Sequence, residues 1–323
     1  MRTRKLGYTD LHLTTVGLGT WAIGGSWQWG WGSQDDAESI TAIRRALDLG
    51  VNWIDTAPAY GLGHSEEVVG RAIAGRRDEI LIATKCGLAW DEGSTSAYRQ
   101  LKAESVRAEC EASLRRLNVE AIDLYQIHWP TTDEDIEEAW ATIADLVQEG
   151  KIRYAGVSNF SVAQLQRVQP IHPVASLQPP YSMIERGVEE ELLPYCAAND
   201  IGVIVYSPMQ TGLLTGKYTR ERIASLPEDD WRKHRSDHFQ EPALSANLEL
   251  VEALRPIAER QGRTVAQLAV AWVLRRPEVT AAIVGARRPS QIEQTAPAGD
   301  WVLSAEDIAE IDALLAKREQ ALA

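Results

Sequence analysis

Apolar residues recur along the chain in two alternating rhythms. Short, nearly continuous apolar runs are separated by stretches in which apolar positions fall three and four residues apart. The first run, Thr14 to Leu18, is followed by Asp35-Asp36 and a helical pattern from Ala37 to Leu49, with Ile40, Ile43 and Leu47 on one face and Gly50 as the stop. Val51 to Ile54 is the second run. Six more follow at Glu79–Lys85, Ile122–His128, Ile152–Ser158, Val174–Gln178, Ile201–Tyr206 and Thr280–Gly285. Helical patterns over Ser65–Ala74, about Lys102–Leu117, Asp133–Gln148, Ser161–Val168, Glu189–Asn199 and Thr264–Arg275 lie between them. Buried strands alternating with amphipathic helices predict a parallel sheet covered by helices, and eight repeats predict closure into an α/β architecture, a (β/α)8 TIM barrel forming a single domain over residues 1–323.

Three features flank this repeat. Residues 2–14 predict an N-terminal β-hairpin turning at Gly7-Tyr8-Thr9-Asp10, and Ser304 to Leu315 predicts a C-terminal helix with Ser304 as N-cap and Asp307 at N3. The stretch Tyr218 to Ser245 is polar, charged and too long for an ordinary connection. Its place after the seventh strand puts it over the face where barrel active sites lie, so it reads as a long active-site loop.

Composition narrows the partners. The 323 residues carry a formal net charge of -13, which argues against nucleic-acid and anionic-membrane surfaces and favours small molecules. No run approaches the ~18 apolar residues of a membrane span, and the N-terminus lacks the apolar core of a signal peptide. Cys86, Cys110 and Cys196 are odd in number and have no metal-like spacing, which predicts reduced thiols and a cytoplasmic protein. The scattered histidines and the absence of paired carboxylates predict no metal site. Nothing in the pattern specifies an oligomeric state.

The chemistry gathers at the strand ends. In a barrel these all open onto one face, and here they read Gly19-Thr20-Trp21, Asp55, Lys85, His128, Ser158-Asn159, Gln178, Tyr206-Ser207 and Gly285-Ala286-Arg287. Tyr60 lies in the Pro/Gly-broken loop just beyond Asp55. A phenol near pKa ~10 is a poor acid at neutral pH, but a neighbouring ammonium favours its phenolate and eases proton donation. Lys85 supplies that ammonium, Asp55 balances it, and His128 is placed to donate a hydrogen bond to a substrate oxygen. None of these groups donates hydride, so the set requires a cofactor or a reaction of proton transfer alone.

The motifs Gly17-Leu-Gly-Thr-Trp-Ala-Ile-Gly-Gly25, Ile54-Asp-Thr-Ala-Pro-Ala-Tyr-Gly61, Thr84-Lys-Cys-Gly87, Asp123-Leu-Tyr-Gln-Ile-His-Trp-Pro130, Gly156-Val-Ser-Asn-Phe160, Leu177-Gln-Pro-Pro-Tyr181, Tyr206 to Lys217 and Ile283-Val-Gly-Ala-Arg287 together resemble the aldo-keto reductase superfamily, over nearly the whole chain and in its order. The flavour is similar to bacterial general-stress aldo-keto reductases. The resemblance implies an NADP-dependent reduction of an aldehyde or ketone, reversible to oxidation of the alcohol, with Tyr60 as general acid and Asp55, Lys85 and His128 completing a tetrad. It implies an NADPH/NADP+ site in which Thr20, Trp21 and Asp55 approach the nicotinamide end, Ser158, Asn159 and Gln178 bind the carboxamide, and Tyr206 stacks on the ring. Ser207, Pro208, Met209, Gln210, Gly212 and Leu213 would drape over the pyrophosphate, and Lys217 would reach a phosphate. Gly285, Arg287, Gln291 and Gln294 would hold the 2'-phosphate end. Arg287-Arg288 and Lys217 suit a phosphate in a strongly acidic chain. The chain departs from the pattern at Thr295, where the family often has Asn to contact adenine.

Two other nucleotide motifs fail on spacing. Gly17-Leu-Gly19-Thr-Trp-Ala22 matches a dinucleotide fingerprint, but the Gly/Trp-rich run after it does not continue as the required helix. Gly212-Leu-Leu-Thr-Gly-Lys217 is one residue short of a P-loop and has Tyr218 where Ser or Thr should stand. For the carbonyl substrate, Trp21, Trp29, Trp90 and Trp129 are candidate walls, with Trp27, Trp31 and the segment around Trp231 beside them. Two rival functions share the fold: a nucleotide-binding regulatory subunit of the channel-β type, which tends to lack a histidine at the position of His128, and a cofactor-free isomerase, which would leave Tyr206 to Lys217 without a role.

Overall fold

Side-chain caps fix where the helices begin. Asp35 accepts the Glu38 N–H at the head of Asp36–Asp48, while Ser161 with Gln164 and Thr264 with Gln267 form capping boxes on Val162–Val168 and Val265–Val273. The strands lie between such helices. The computed structural model describes residues 1–130, 135–228 and 230–322. Its strands Val16–Gly19, Trp53–Asp55, Leu81–Cys86, Ile122–Ile127, Ile152–Ser158, Ser176–Gln178, Gly202–Val205 and Val279–Gly285 pair in parallel and in chain order into a closed barrel. The ring closes where Ala282 meets Val16 and Gly285 meets Gly19.

All eight strands coincide with the runs read from the sequence, several of them shortened at the start. Val51 does not join its strand because its N–H returns to Ala46 O at 3.0 Å, closing the end of the preceding helix. The predicted start of one helix at Asp133 lies outside the described residues; its described part is Ile136–Gln148.

The core has two compartments. Most buried aliphatic side chains fill the layer between the barrel and its helices. A second group lies inside the barrel and at its floor, where Leu6, Leu11 and Leu13 of the hairpin Thr3–Lys5/His12–Thr14 pack against Trp53, Ala83, Leu124, Ala175, Ile204, Ala281 and Ile283. Trp53 needs Gly17 opposite it: a Cβ on Gly17 would lie 2.0 Å from the indole, whose N–H donates to Thr14 O at 2.9 Å. The hairpin thus closes the N-terminal end of the barrel.

The stretch Tyr218–Ser245 departs from a plain loop. It contains short helices at Arg220–Ala224 and Trp231–Arg235 and a 3-10 turn at Asp237–Phe239, then leads into an 18-residue helix, Ala243–Arg260, that the periodicity did not isolate. The C-terminal helix runs to Leu322 rather than Leu315. It lies along Ala243–Arg260, with Arg260 bonded to Asp307 (2.9 Å) and Glu310 (2.7 Å), and Arg318 to Asn247 (2.6 Å). Among the described residues no helix is long and apolar enough to cross a membrane.

Candidate active site

The ends of the second and third strands bring one carboxylate and one ammonium together. Lys85 is fully buried, and its Nζ donates to Asp55 Oδ1 at 2.7 Å, to Thr56 O at 2.9 Å and to the Tyr60 hydroxyl at 3.3 Å. The other oxygen of Asp55 accepts from Gln178 Nε2 at 2.8 Å, which ties the sixth strand to the second across the barrel. His128, at the end of the fourth strand, sets its ring edge-on to Tyr60 with centroids 5.8 Å apart. The structure therefore brings Asp55, Tyr60, Lys85 and His128 into one cluster.

Tyr60 is placed by a backbone contact. Gly61 has φ +66, and a Cβ there would lie 2.0 Å from Gly24 O; a Cβ on Gly24 would lie 2.7 Å from Gly61 N and from Tyr60 C. The loops after the first and second strands thus meet main chain to main chain beside the phenol, an approach that only glycine permits.

Burial governs the charges. It pushes the Tyr60 phenol well above its ordinary range, and the Asp55 carboxylate adds to the effect. This reverses the expectation that Lys85 would make the phenol a stronger acid, because removing a phenolate from water outweighs the attraction of an ammonium already paired with Asp55. Burial also draws the Lys85 ammonium below the usual amine value, opposed by Asp55 and by the fully buried Glu66. Glu66 is held by Thr84 Oγ1 at 2.6 Å and Arg116 Nε at 2.7 Å. His128 lies well below the imidazole range, from burial first and Lys85 second, so its ring is neutral near pH ~7. Its Nδ1 has no hydrogen-bond partner among the described residues.

A second set of polar ends lines the fifth to seventh strands. Ser158 Oγ donates to Gln178 O at 2.8 Å, Asn159 Nδ2 donates to Ser158 Oγ and to His128 O, both at 3.0 Å, and the Tyr206 hydroxyl donates to Asn159 Oδ1 at 2.9 Å. Thr20 accepts from Ser65 Oγ at 2.8 Å and donates to Asp55 O at 3.2 Å. Beyond Tyr206, Ser207 (φ 55), Gln210 (φ 44) and Thr211 (φ 51) take left-handed conformations around Pro208 and Met209. The Gln210 side chain is engaged by Ser182 and Glu185, and Leu213 is buried with Ile223, Phe239 and Leu244, so this segment presents main chain rather than those side chains. Gly212 (φ 100) lies against Tyr218.

At the rim, Lys217 Nζ donates to Gln294 Oε1 at 2.9 Å, and the Arg287 N–H donates to Gln291 Oε1 at 2.7 Å. Gly285 stands beside Gly19 with no side chain between them. Arg287 also feels the charges of Arg288 and Arg232, which lower its pKa behind the larger effect of burial.

The tryptophans divide. Trp21 lies nearly parallel to Tyr60 (centroids 6.1 Å, 14°) and to Trp231 (6.2 Å, 6°), while Trp27 is 6.1 Å from Tyr60 and 6.4 Å from Trp21. The other three candidate walls make their ring contacts with arginines instead: Trp29 is exposed beneath Arg235, Trp90 lies under Arg116 and Trp129 under Arg99. Sequence reasoning missed Arg232, which donates to Thr211 O at 3.2 Å and Tyr218 Oη at 2.6 Å, and it missed Gln34, which accepts from Arg287 at 2.6 Å. A lone arginine in a polar stretch and a lone glutamine carry no local signal.

A closed parallel barrel with an Asp–Lys–Tyr–His cluster and a polar, partly basic rim at its mouth defines an oxidoreductase barrel. The Aldo/keto reductase family model matches residues 15–316, and the chain belongs to that family. It is similar to the aldo-keto reductase YhdN of Bacillus subtilis, 42% identical over 98% of this chain and 94% of the relative. It is also similar to the NADH-specific methylglyoxal reductase of Escherichia coli, 36% identical over 95% of this chain and 96% of the relative. Among solved structures, a glycerol dehydrogenase of Gluconobacter oxydans superposes with a TM-score of 0.89 at 41% identity, covering 98% of this chain and 95% of that one.

Proposed function

We propose that the protein is an NADPH-dependent carbonyl reductase, converting an aldehyde or ketone to its alcohol with Tyr60 as the proton donor. The observation that carries this is the line from Asp55 through Lys85 Nζ to the Tyr60 hydroxyl at 2.7 and 3.3 Å. The residues present fit a nicotinamide nucleotide. Ser158, Asn159 and Gln178 offer amide and hydroxyl partners beside the tetrad, the left-handed turns at 207–211 present main chain as phosphate-binding loops do, and Lys217, Arg287 and Arg288 form a basic rim on an acidic protein. When bound, the nicotinamide supplies the hydride.

The chain's own groups handle the oxygen. Neutral His128 holds a substrate carbonyl by one ring N–H. Tyr60, kept protonated by burial, is loaded as an acid across the neutral range, and an alkoxide forming beside it is a far stronger base than a phenolate, so the proton moves readily. Lys85 then stabilises the phenolate left behind, and Asp55 with Gln178 keeps the ammonium in place. In the reverse direction the same phenolate removes the proton from the alcohol.

The basic rim favours NADPH over NADH. The Escherichia coli relative carries NADH specificity in its name, so the decisive assay uses both nucleotides. A panel of aldehydes and ketones is incubated with NADPH or NADH and the loss of nicotinamide absorbance is followed. Turnover with NADPH is expected; absence of turnover with either nucleotide contradicts the reading, and a preference for NADH contradicts its cofactor part.

A further inference from the structure

We propose that Trp231, carried by the segment after the seventh strand, sets the upper size limit of the carbonyl substrate, so that the site takes short, oxygen-bearing carbonyls in preference to aryl ones. The inference rests on the carbonyl-reductase reading of the same site. Its first ground is how the rings around Tyr60 are already occupied. Trp21 has two near-parallel neighbours, Tyr60 at 6.1 Å and Trp231 at 6.2 Å, and Trp27 approaches both Trp21 and Tyr60. The aromatic surface bordering the phenol is therefore covered by protein rings. An aryl substrate must part Trp231 from Trp21 before it can stack, whereas a short aliphatic carbonyl need not.

Polarity points the same way. The indole N–H groups of Trp27, Trp31 and Trp231 are shielded from solvent and have no acceptor among the described residues. Buried donors of this kind require a partner, which hydroxyl or carbonyl oxygens supply and an aryl ring does not. Trp231 is also firmly anchored. The next residue, Arg232, is buried, pairs with Asp230 (Nε to Oδ1 2.9 Å), donates to Thr211 O and Tyr218 Oη, and lies 4.3 Å from the Trp31 ring centroid. An indole held by its neighbour in this way acts as a fixed wall, and fixed walls discriminate by size.

The test compares wild type, Trp231→Ala and Trp231→Phe as full-length proteins. kcat/KM with NADPH is measured for glycolaldehyde and for naphthaldehyde, together with the NADPH dissociation constant. Trp231→Ala should raise the naphthaldehyde-to-glycolaldehyde ratio by about tenfold or more, mainly through a lower naphthaldehyde KM, while Trp231→Phe stays within about threefold of wild type. NADPH affinity should not change. A ratio unaltered in Trp231→Ala, or an equal loss with both substrates, overturns the proposal. Should Trp231→Ala melt well below wild type, Trp231→Leu keeps an apolar filler and carries the same comparison. Direct binding of naphthaldehyde, read by fluorescence quenching, should tighten in the variant whether or not turnover occurs; a failure of the reductase reading is thereby told apart from a failure of the gate.

Discussion

The Tyr60 hydroxyl lies 3.3 Å from the Lys85 ammonium, and the same ammonium stands 5.1 Å from the centroid of the Tyr60 ring. The phenol thus keeps its proton because of burial while the cation that will stabilise its phenolate is already in place. Tyr60→Phe should leave the NADPH dissociation constant within about twofold of wild type and lower kcat by about 10²-fold or more, the range spanned by a positioned general acid. Single-turnover assays and nucleotide titration check both halves; an active variant removes Tyr60 from the role.

Asp55→Asn should be costly in a different way. It leaves the buried Lys85 without its carboxylate, and breaking one side of a buried pair costs roughly 3–5 kcal/mol. Urea unfolding of the variant should show that loss, and Asp55→Asn/Lys85→Met should recover part of it. Equal stability of the single and double variants would mean that the pair is not coupled.

Gly61→Ala tests the contact between the two loops. The added methyl meets Gly24 O at 2.0 Å in a backbone with φ +66, so roughly 2–4 kcal/mol of stability should be lost and kcat should fall as Tyr60 shifts. Gly75→Ala is the control: its φ of +79 is similarly unfavourable, but its Cβ meets nothing within 4 Å, so its cost should be the smaller and activity should be kept.

Glu109 gives a pH signature. Its carboxylate accepts the N–H groups of Gly87 (2.9 Å) and Leu88 (3.3 Å), just beyond Lys85, and burial pushes it up to about 7. An unfolded glutamate ionises near ~4.3. Between those values the folded protein holds a proton that the unfolded chain has released, so stability falls as pH rises through this window and the loss is complete above the folded value. Glu109→Gln should flatten the change in unfolding free energy between about pH 5 and pH 8. An unchanged slope would assign the dependence elsewhere.

Arg287→Ala should raise the NADPH dissociation constant by about tenfold and that for NADH by less than about twofold, since only the former carries the extra phosphate. Parallel losses for both nucleotides would indicate instead that Arg287 matters through its bonds to Gln34 and to Ser33 O.

The strands and the tetrad were legible because their signals are local. Apolar runs gave the eight barrel strands, each ending in a side chain out of keeping with the run before it, and Ser161 and Thr264 announced their helices as caps. Residues whose roles depend on distant partners were not legible. Arg287 finds Gln34 across 253 residues, and Arg232 acts through Thr211 and Tyr218 inside a stretch whose composition reads only as polar. Glycines sat between the two cases: Gly24 and Gly61 stood inside recognisable motifs, but only the packing of their loops reveals why no other residue serves. Trp90 and Trp129 were overread, since aromaticity near a strand end does not say which way a ring turns, and their ring contacts are with arginines.

The hairpin that closes the barrel floor gives the molecule a bottom and a single doorway. With Leu6, Leu11 and Leu13 packed beneath Trp53, traffic to Tyr60 has no passage through the centre; nucleotide, carbonyl and alcohol share the mouth that Trp231 overlooks. A vessel with one opening makes exit a rearward move along the path of arrival, so whatever is seated deepest leaves last.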